Sequence, residues 1–145
     1  KRTLRHLLSN HANAFSPQVT HRFPDLEIYI RAPDVEQLAA RLETALSLSH
    51  WKQEGPLLRA RIISESSQAD VVLHDRAVKN YCSLWVTQNL TPWDTDLALA
   101  EWASNEFPAL DVRCSQSGWS EQESLDERVK WYRVRAGAVD EVFWD

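Results

Sequence analysis

The sequence predicts an α+β fold, a ferredoxin-like β-α-β-β-α-β core followed by a C-terminal β-hairpin. Three patterns indicate it: alternating apolar residues that mark strands, two stretches of helical spacing, and a late pair of alternating segments around a glycine. Their order predicts an antiparallel sheet with both helices on one face. The hairpin is expected to extend this sheet or to cover its edge.

The first strand and helix have the clearest signals. Residues 26–31 alternate, with Leu26, Ile28 and Ile30 on one side, as in a half-buried strand. Asp34 then suits a helix N-cap, with Gln37 as its capping partner. Apolar residues follow at helical spacing through residue 46, which predicts an amphipathic helix.

The middle of the chain predicts two or three strands and a second helix. Strands are expected at residues 58–62 and 81–87, with a short returning strand at 71–73. Thr91 and Pro92 are typical of a helix start, and Asp94 suits its positive end. The buried stripe of that helix is expected to contain Leu99, Trp102, Ala103 and Phe107, before Pro108 ends it.

A last core strand is predicted at residues 110–114, followed by a polar, acidic loop. Residues 129–135 and 139–144 flank Ala-Gly-Ala and predict the terminal hairpin. The length fits one domain over residues 1–145. Within it, residues 24–145 form the core with its hairpin, and residues 1–23 form an appendage with a short basic amphipathic helix at most.

Charge is distributed unevenly along the chain. The net charge is −5. Residues 1–90 contain 11 basic and 9 acidic residues, whereas residues 91–145 contain 5 basic and 12 acidic ones. The second part therefore favours a basic partner over a phosphate backbone. A solvated acidic face that keeps the protein soluble is the alternative interpretation. Seven tryptophans also exceed what one small core needs, which predicts one or two exposed anchors.

The residue types needed for catalysis or metal binding do not converge in the sequence. The five histidines show no ligand spacing, and the two cysteines, Cys82 and Cys114, fit buried reduced thiols. Neighbouring carboxylates are explained by helix ends and solvated loops. We therefore expect no metal, no cofactor and no enzymatic activity. No secretory signal or apolar run of about 18 residues is present, so we expect a cytoplasmic protein without a membrane segment.

From Tyr81 onward the sequence resembles the YubB-like ferredoxin-fold family of plasmid and phage proteins. The resemblance covers about a third of the chain and rests on Trp85, Pro92, Leu99, Phe107, Pro108, Val112, Gly118 and Glu121. Most of these residues act as caps, stop signals or core positions. The resemblance therefore implies a fold rather than an activity.

The leading functional prediction is a small acidic protein-binding module, an inhibitor or an immunity or anti-defence protein that blocks a basic, nucleic-acid-acting partner. The predicted contact residues are Trp93, Asp96, Glu101, Trp119, Glu121, Glu123, Asp126 and Glu127. Two alternatives stay open. Tyr29, Tyr81 and Trp85 lie near arginines and could bind single-stranded RNA or DNA on the sheet face. An enzyme could also assemble its site from distant residues.

Overall fold

The computed structural model describes residues 22–116 and 129–144, which form one antiparallel sheet of eight strands and two helices. In chain order these elements are β1 (Leu26–Arg31), α1 (Val35–Ala45), β2 (Lys52–Glu54), β3 (Leu57–Ile62), β4 (Ala69–Val78), β5 (Tyr81–Val86), α2 (Asp96–Glu106), β6 (Val112–Ser115), β7 (Lys130–Arg135) and β8 (Ala138–Phe143). The strand order across the sheet is β2-β3-β4-β5-β1-β6-β7-β8. The first strand of the chain thus lies in its middle.

The expected ferredoxin-like β-α-β-β-α-β fold is wrong, because the chain builds one continuous eight-stranded sheet with two helices. Strand β2 was missed because Lys52–Glu54 contains no apolar residue and is exposed throughout. Strand β4 was expected to be three residues long but has ten, with a register shift between His74 and Val78 that obscures its alternation. The terminal hairpin is present, and it extends the sheet by pairing β7 with β6.

The sequence correctly predicted β1 and α1. Leu26, Ile28 and Ile30 are fully buried, as the alternation of β1 requires. The side chain of Asp34 accepts a hydrogen bond of 3.2 Å from the backbone N–H of Gln37. This bond satisfies one of the amide groups that the first turn of a helix leaves without a partner.

Both helices pack on the same face of the sheet. Leu38 and Leu42 of α1 join Leu99 and Ala103 of α2 in one buried cluster with the apolar side of β1. The side chain of Arg41 forms a 2.8 Å salt bridge with Glu106 of α2 and so links the two helices at their surface. We call the opposite side of the sheet, which contains Glu27, Tyr29 and Arg31 of β1 and the residues in register with them, the open face. None of the described helices is long and apolar enough to cross a membrane.

Helix α2 begins four residues later than expected. Thr95 is its N-cap and accepts a 3.1 Å hydrogen bond from the backbone N–H of Ala98. Thr91 instead accepts the backbone N–H of Trp93 within the preceding turn. Two threonines in one short segment compete for the capping role, and tertiary contacts decide between them. The turn is held in place because Asp94 accepts a backbone hydrogen bond from Phe23, just before β1.

The turn of the hairpin requires left-handed backbone at two successive residues. Ala136 has a φ of 50° and Gly137 a φ of 83°. Such a turn matches the twist of the two flanking strands, and glycine adopts the second conformation without strain. The backbone N–H of Gly137 also donates a 3.1 Å hydrogen bond to Ser104. This contact ties the tip of the hairpin to α2.

Cys82 and Cys114 are both buried and neither is in a disulfide, as predicted, and β1 lies between their strands. Burial raises the pKa of the Cys82 thiol from 9.0 to about 12. The folded state therefore keeps the proton over a pH range in which the unfolded chain loses it.

We predict that ionisation of the Cys82 thiol lowers the stability of the folded protein in alkaline solution. Its stabilising contribution is complete below pH 9.0 and is lost as the pH rises toward about 12. Within that window the free energy of unfolding is expected to fall by about 1.4 kcal/mol per pH unit through this one group. Urea denaturation of the wild type and of Cys82→Ala measures the effect as the difference between their slopes. Equal slopes would show that the thiol does not contribute.

Candidate functional site

The open face carries cationic and aromatic side chains that the strand registers bring together. Its cations are Arg31, Lys52, Arg59, Arg61, Arg113, Arg133 and Arg135, and its aromatic residues include Tyr29, Tyr81, Trp85 and Trp131. Carboxylates neutralise several of these cations. Arg59 binds Asp70 at 2.8 Å, and Arg133 binds Asp140 at 2.9 Å. The hydrogen bond that Arg133 donates to Asp140 raises the pKa of the Arg133 guanidinium, which stays charged.

Four rings form an aromatic cluster, defined here as Tyr29, Tyr81, Trp131 and Trp144. The indole of Trp144 lies 5.3 Å from Tyr29, 4.7 Å from Tyr81 and 5.0 Å from Trp131, measured between ring centroids. The guanidinium of Arg113 lies 5.3 Å from both the Tyr81 and Trp144 rings. Tilted and edge-to-face contacts of this kind are favourable beyond the area they bury. The residue that follows β8 is thereby fixed on the open face.

A hydrogen-bonded polar group lies in the centre of the open face. Glu27 is buried and accepts hydrogen bonds from Ser83 at 3.2 Å and from Tyr29 at 3.3 Å. Trp85 donates its indole N–H to Asp25 at 2.9 Å. Buried polar groups that find such partners act mainly in stabilising the structure. This region therefore supports the sheet and is not our candidate site.

Strand β8 is one of the two edges of the sheet and is mostly exposed. Residues 138–141 and Phe143 are exposed, and Val142 is half-buried. Val139 and Phe143, which are 41% and 44% exposed, project to the same side as Glu141, the side on which the helices lie. Asp140 projects to the open face. The other edge, β2, is three residues long and has no apolar side chain.

The predicted contact residues do not form one surface within the described chain. Asp96 is fully buried, and its carboxylate accepts a 2.9 Å hydrogen bond from the backbone N–H of Glu27. It links α2 to β1, so the prediction of a partner contact fails for this residue. Glu101 is exposed on α2. Trp93 is half-buried, and its ring centroid lies 5.1 Å from that of Trp102.

The remaining predicted contacts, Trp119, Glu121, Glu123, Asp126 and Glu127, lie outside the described residues.

The six described tryptophans are all half-buried, so the expectation of a buried Trp102 in the α2 stripe is wrong. Leu99 and Ala103 are buried as expected, whereas Phe107 is half-buried.

Sequence reasoning predicted the terminal hairpin but did not recognise its outer strand as a candidate site. The signal was present in the acidic pair Asp140-Glu141 between Val139 and Val142. Alternation alone does not show which of two paired strands lies at the edge of a sheet. That position depends on the long-range pairing of β7 with β6.

The described residues contain no group of three or more His, Cys, Asp or Glu side chains that could hold a metal ion. A scan against protein-family models gave no match, and neither the curated proteins nor the solved structures contain a significant match. The resemblance to the YubB-like family therefore stays a prediction. The function has to be argued from the geometry of the chain.

We predict that Trp144→Ala lowers the free energy of unfolding by about 2 kcal/mol, because three ring contacts and part of the apolar surface beneath them are lost. Phe143→Ala is the matched control, since this neighbouring ring is 44% exposed. Its expected cost is about 0.5 kcal/mol. Chemical denaturation followed by circular dichroism measures both values. Equal losses would contradict the assignment of Trp144 to the aromatic cluster.

Proposed function

We propose that the protein is a non-enzymatic protein-binding module whose edge strand β8 pairs with an extended, basic segment of a partner protein. The observation that carries this proposal is an exposed six-residue edge strand with two acidic residues and two exposed apolar side chains. An unpaired edge offers backbone donors and acceptors to another strand. Among the described residues, no strand pairs with the outer side of β8.

The acidic residues of β8 favour a basic partner over a second copy of this chain, and Glu141 carries more of this effect because Asp140 already binds Arg133 at 2.9 Å. In an antiparallel pair, directly opposed residues lie on the same face, and like charges there are destabilising. A symmetric pairing of two β8 strands centred on Asp140 or Glu141 sets that carboxylate opposite its own copy. A partner strand with adjacent lysine or arginine residues avoids this repulsion, because it presents one cation to each face.

The apolar side chains of β8 supply contact area beside these charges. Val139 and Phe143 flank Glu141 on one side of the strand. When a partner strand adds to a sheet edge, contacts with every second side chain of that strand give the specificity. Trp144 and Trp131 lie next to the same edge on the open face. Tryptophan and tyrosine are frequent among the residues that dominate protein interfaces.

This proposal keeps the protein-binding part of the function predicted from the sequence. Inhibition of a nucleic-acid-acting partner would follow where the bound basic segment is the one that contacts nucleic acid. The alternative of nucleic-acid binding by aromatic stacking gains little support from the open face. Its rings pack against one another, and Arg113 forms a 3.1 Å ion pair with Asp111. Base stacking requires accessible ring faces.

Selection of extended peptides from a random display library tests the proposal. We expect the selected peptides to contain adjacent basic residues and to increase the hydrogen-exchange protection of the amides of residues 138–143. The double substitution Asp140→Lys with Glu141→Lys is expected to weaken their binding about 10-fold or more. Isothermal titration calorimetry measures the change.

Glu36→Lys with Glu43→Lys is the matched control, because it reverses two exposed acidic residues on α1, away from the edge strand. This control is expected to change the affinity by less than about 3-fold, through long-range charge alone. Selected peptides without basic residues, or an equal loss of affinity in both double variants, would contradict the proposed role of β8.

A further inference from the structure

We infer that an open groove at the opposite edge of the sheet, across β2, β3 and β4, binds a phosphate group. The groove has a volume of about 430 Å³, and its lining contains three cations, Lys52, Arg59 and Arg61, against two carboxylates, those of Glu54 and Asp70. A volume of this size accommodates a phosphate ester such as a nucleotide. The site is independent of β8, because six strands separate β2 from β8 in the sheet.

The register places like charges against each other in this groove. Lys52 is directly opposite Arg59 on the open face, and Arg61 is the next residue of β3 on that face. Like charges directly opposed on an antiparallel pair destabilise it. Glu54 and Asp70 compensate part of this repulsion through their ion pairs with Arg59, and an anion bound between the cations relieves the part that is left.

Two carboxylates fix the position of Arg59 but leave some of its N–H donors available to a ligand. Arg59 donates to Glu54 at 3.1 Å and to Asp70 at 2.8 Å, which orients its guanidinium. Since a guanidinium has five N–H donors, three of them are left for a ligand after these two bonds. The hydrogen bonds with Asp70 and Glu54 raise the pKa of Arg59, so its charge is permanent.

The three cations of the groove outnumber its two carboxylates, and Lys52 and Arg61 hold this surplus of positive charge. Arg61 has 59% of its side chain exposed and approaches Asp70 at 3.7 Å, too far for a good hydrogen bond. Lys52 is exposed and forms no ion pair within the described part of the chain. Several donors and few available acceptors are typical of a site for an oxyanion, and arginine in particular matches the geometry of phosphate.

Titration of the folded protein with inorganic phosphate, followed by the amide chemical shifts of residues 49–61, tests this inference. We expect saturable shifts confined to the groove, with an affinity that falls as salt is added. The double substitution Lys52→Ala with Arg61→Ala is expected to weaken binding about 10-fold or more. Circular dichroism and thermal melting check that this variant keeps its fold.

Arg135→Ala is the matched control, because it removes an exposed cation of the open face near the other edge. Its phosphate affinity is expected to equal that of the wild type. Parallel titrations with AMP and with a single-stranded oligonucleotide identify the source of the phosphate group, a free ester or a nucleic-acid backbone. Shifts that do not saturate, or an equal loss of affinity in the Arg135→Ala variant, would overturn the inference. Neither result bears on peptide binding by β8, so the two proposals fail separately.

Discussion

The complete burial of one side of β1 determines the rest of the structure. Leu26, Ile28 and Ile30 are covered by both helices, while the backbone of the same strand pairs with β5 on one side and β6 on the other. The pairing with β5 spans all six residues of β1, and the pairing with β6 involves Tyr29 and Ile30. A shift of this strand by one residue would turn its apolar side toward solvent, so the register of both halves of the sheet is fixed by it. Asp96 adds a buried hydrogen bond between α2 and the backbone of β1.

Because β1 lies in the middle of the sheet, the two edge strands, β2 and β8, are far apart, and they carry different charged residues. Near β2, the cations Lys52, Arg59 and Arg61 line a groove. At β8, Asp140 and Glu141 lie on an exposed strand. The two edges therefore differ in charge, because cations outnumber carboxylates in the groove near β2, whereas the charged residues of β8 itself are both acidic. The two proposed ligands, a basic peptide and a phosphate group, would therefore bind without competing, since charges farther apart than a Debye length are largely screened.

The side chains of the open face, which lies between these edges, mainly stabilise the fold and leave few groups for contact with a ligand. The ion pairs of Arg113 and Arg133 neutralise cations that would otherwise repel one another. The aromatic cluster anchors the end of the chain through Trp144, so the terminal hairpin is held by side-chain packing as well as by backbone hydrogen bonds. Ser104 holds the tip of the same hairpin from the side of α2. The edge strand is consequently anchored at both of its ends, and such preorganisation lowers the entropic cost of binding.

The sequence by itself determined the local elements with a strong period and cap: β1, α1, β5 and the terminal hairpin. It also predicted the two buried thiols. Alternation and capping are short-range properties, so residues such as Ile28 and Asp34 reveal them directly. Tertiary structure decided the rest. Thr95 became the cap of α2 in place of Thr91, Lys52–Glu54 became a strand through pairing with β3, and Asp96 became a buried link. Each of these outcomes depends on partners distant in sequence, and the position of a strand at a sheet edge is likewise a property of the assembled sheet. That is why most of the strands were predictable one by one, while β2, the full length of β4, the fold and both candidate sites were not.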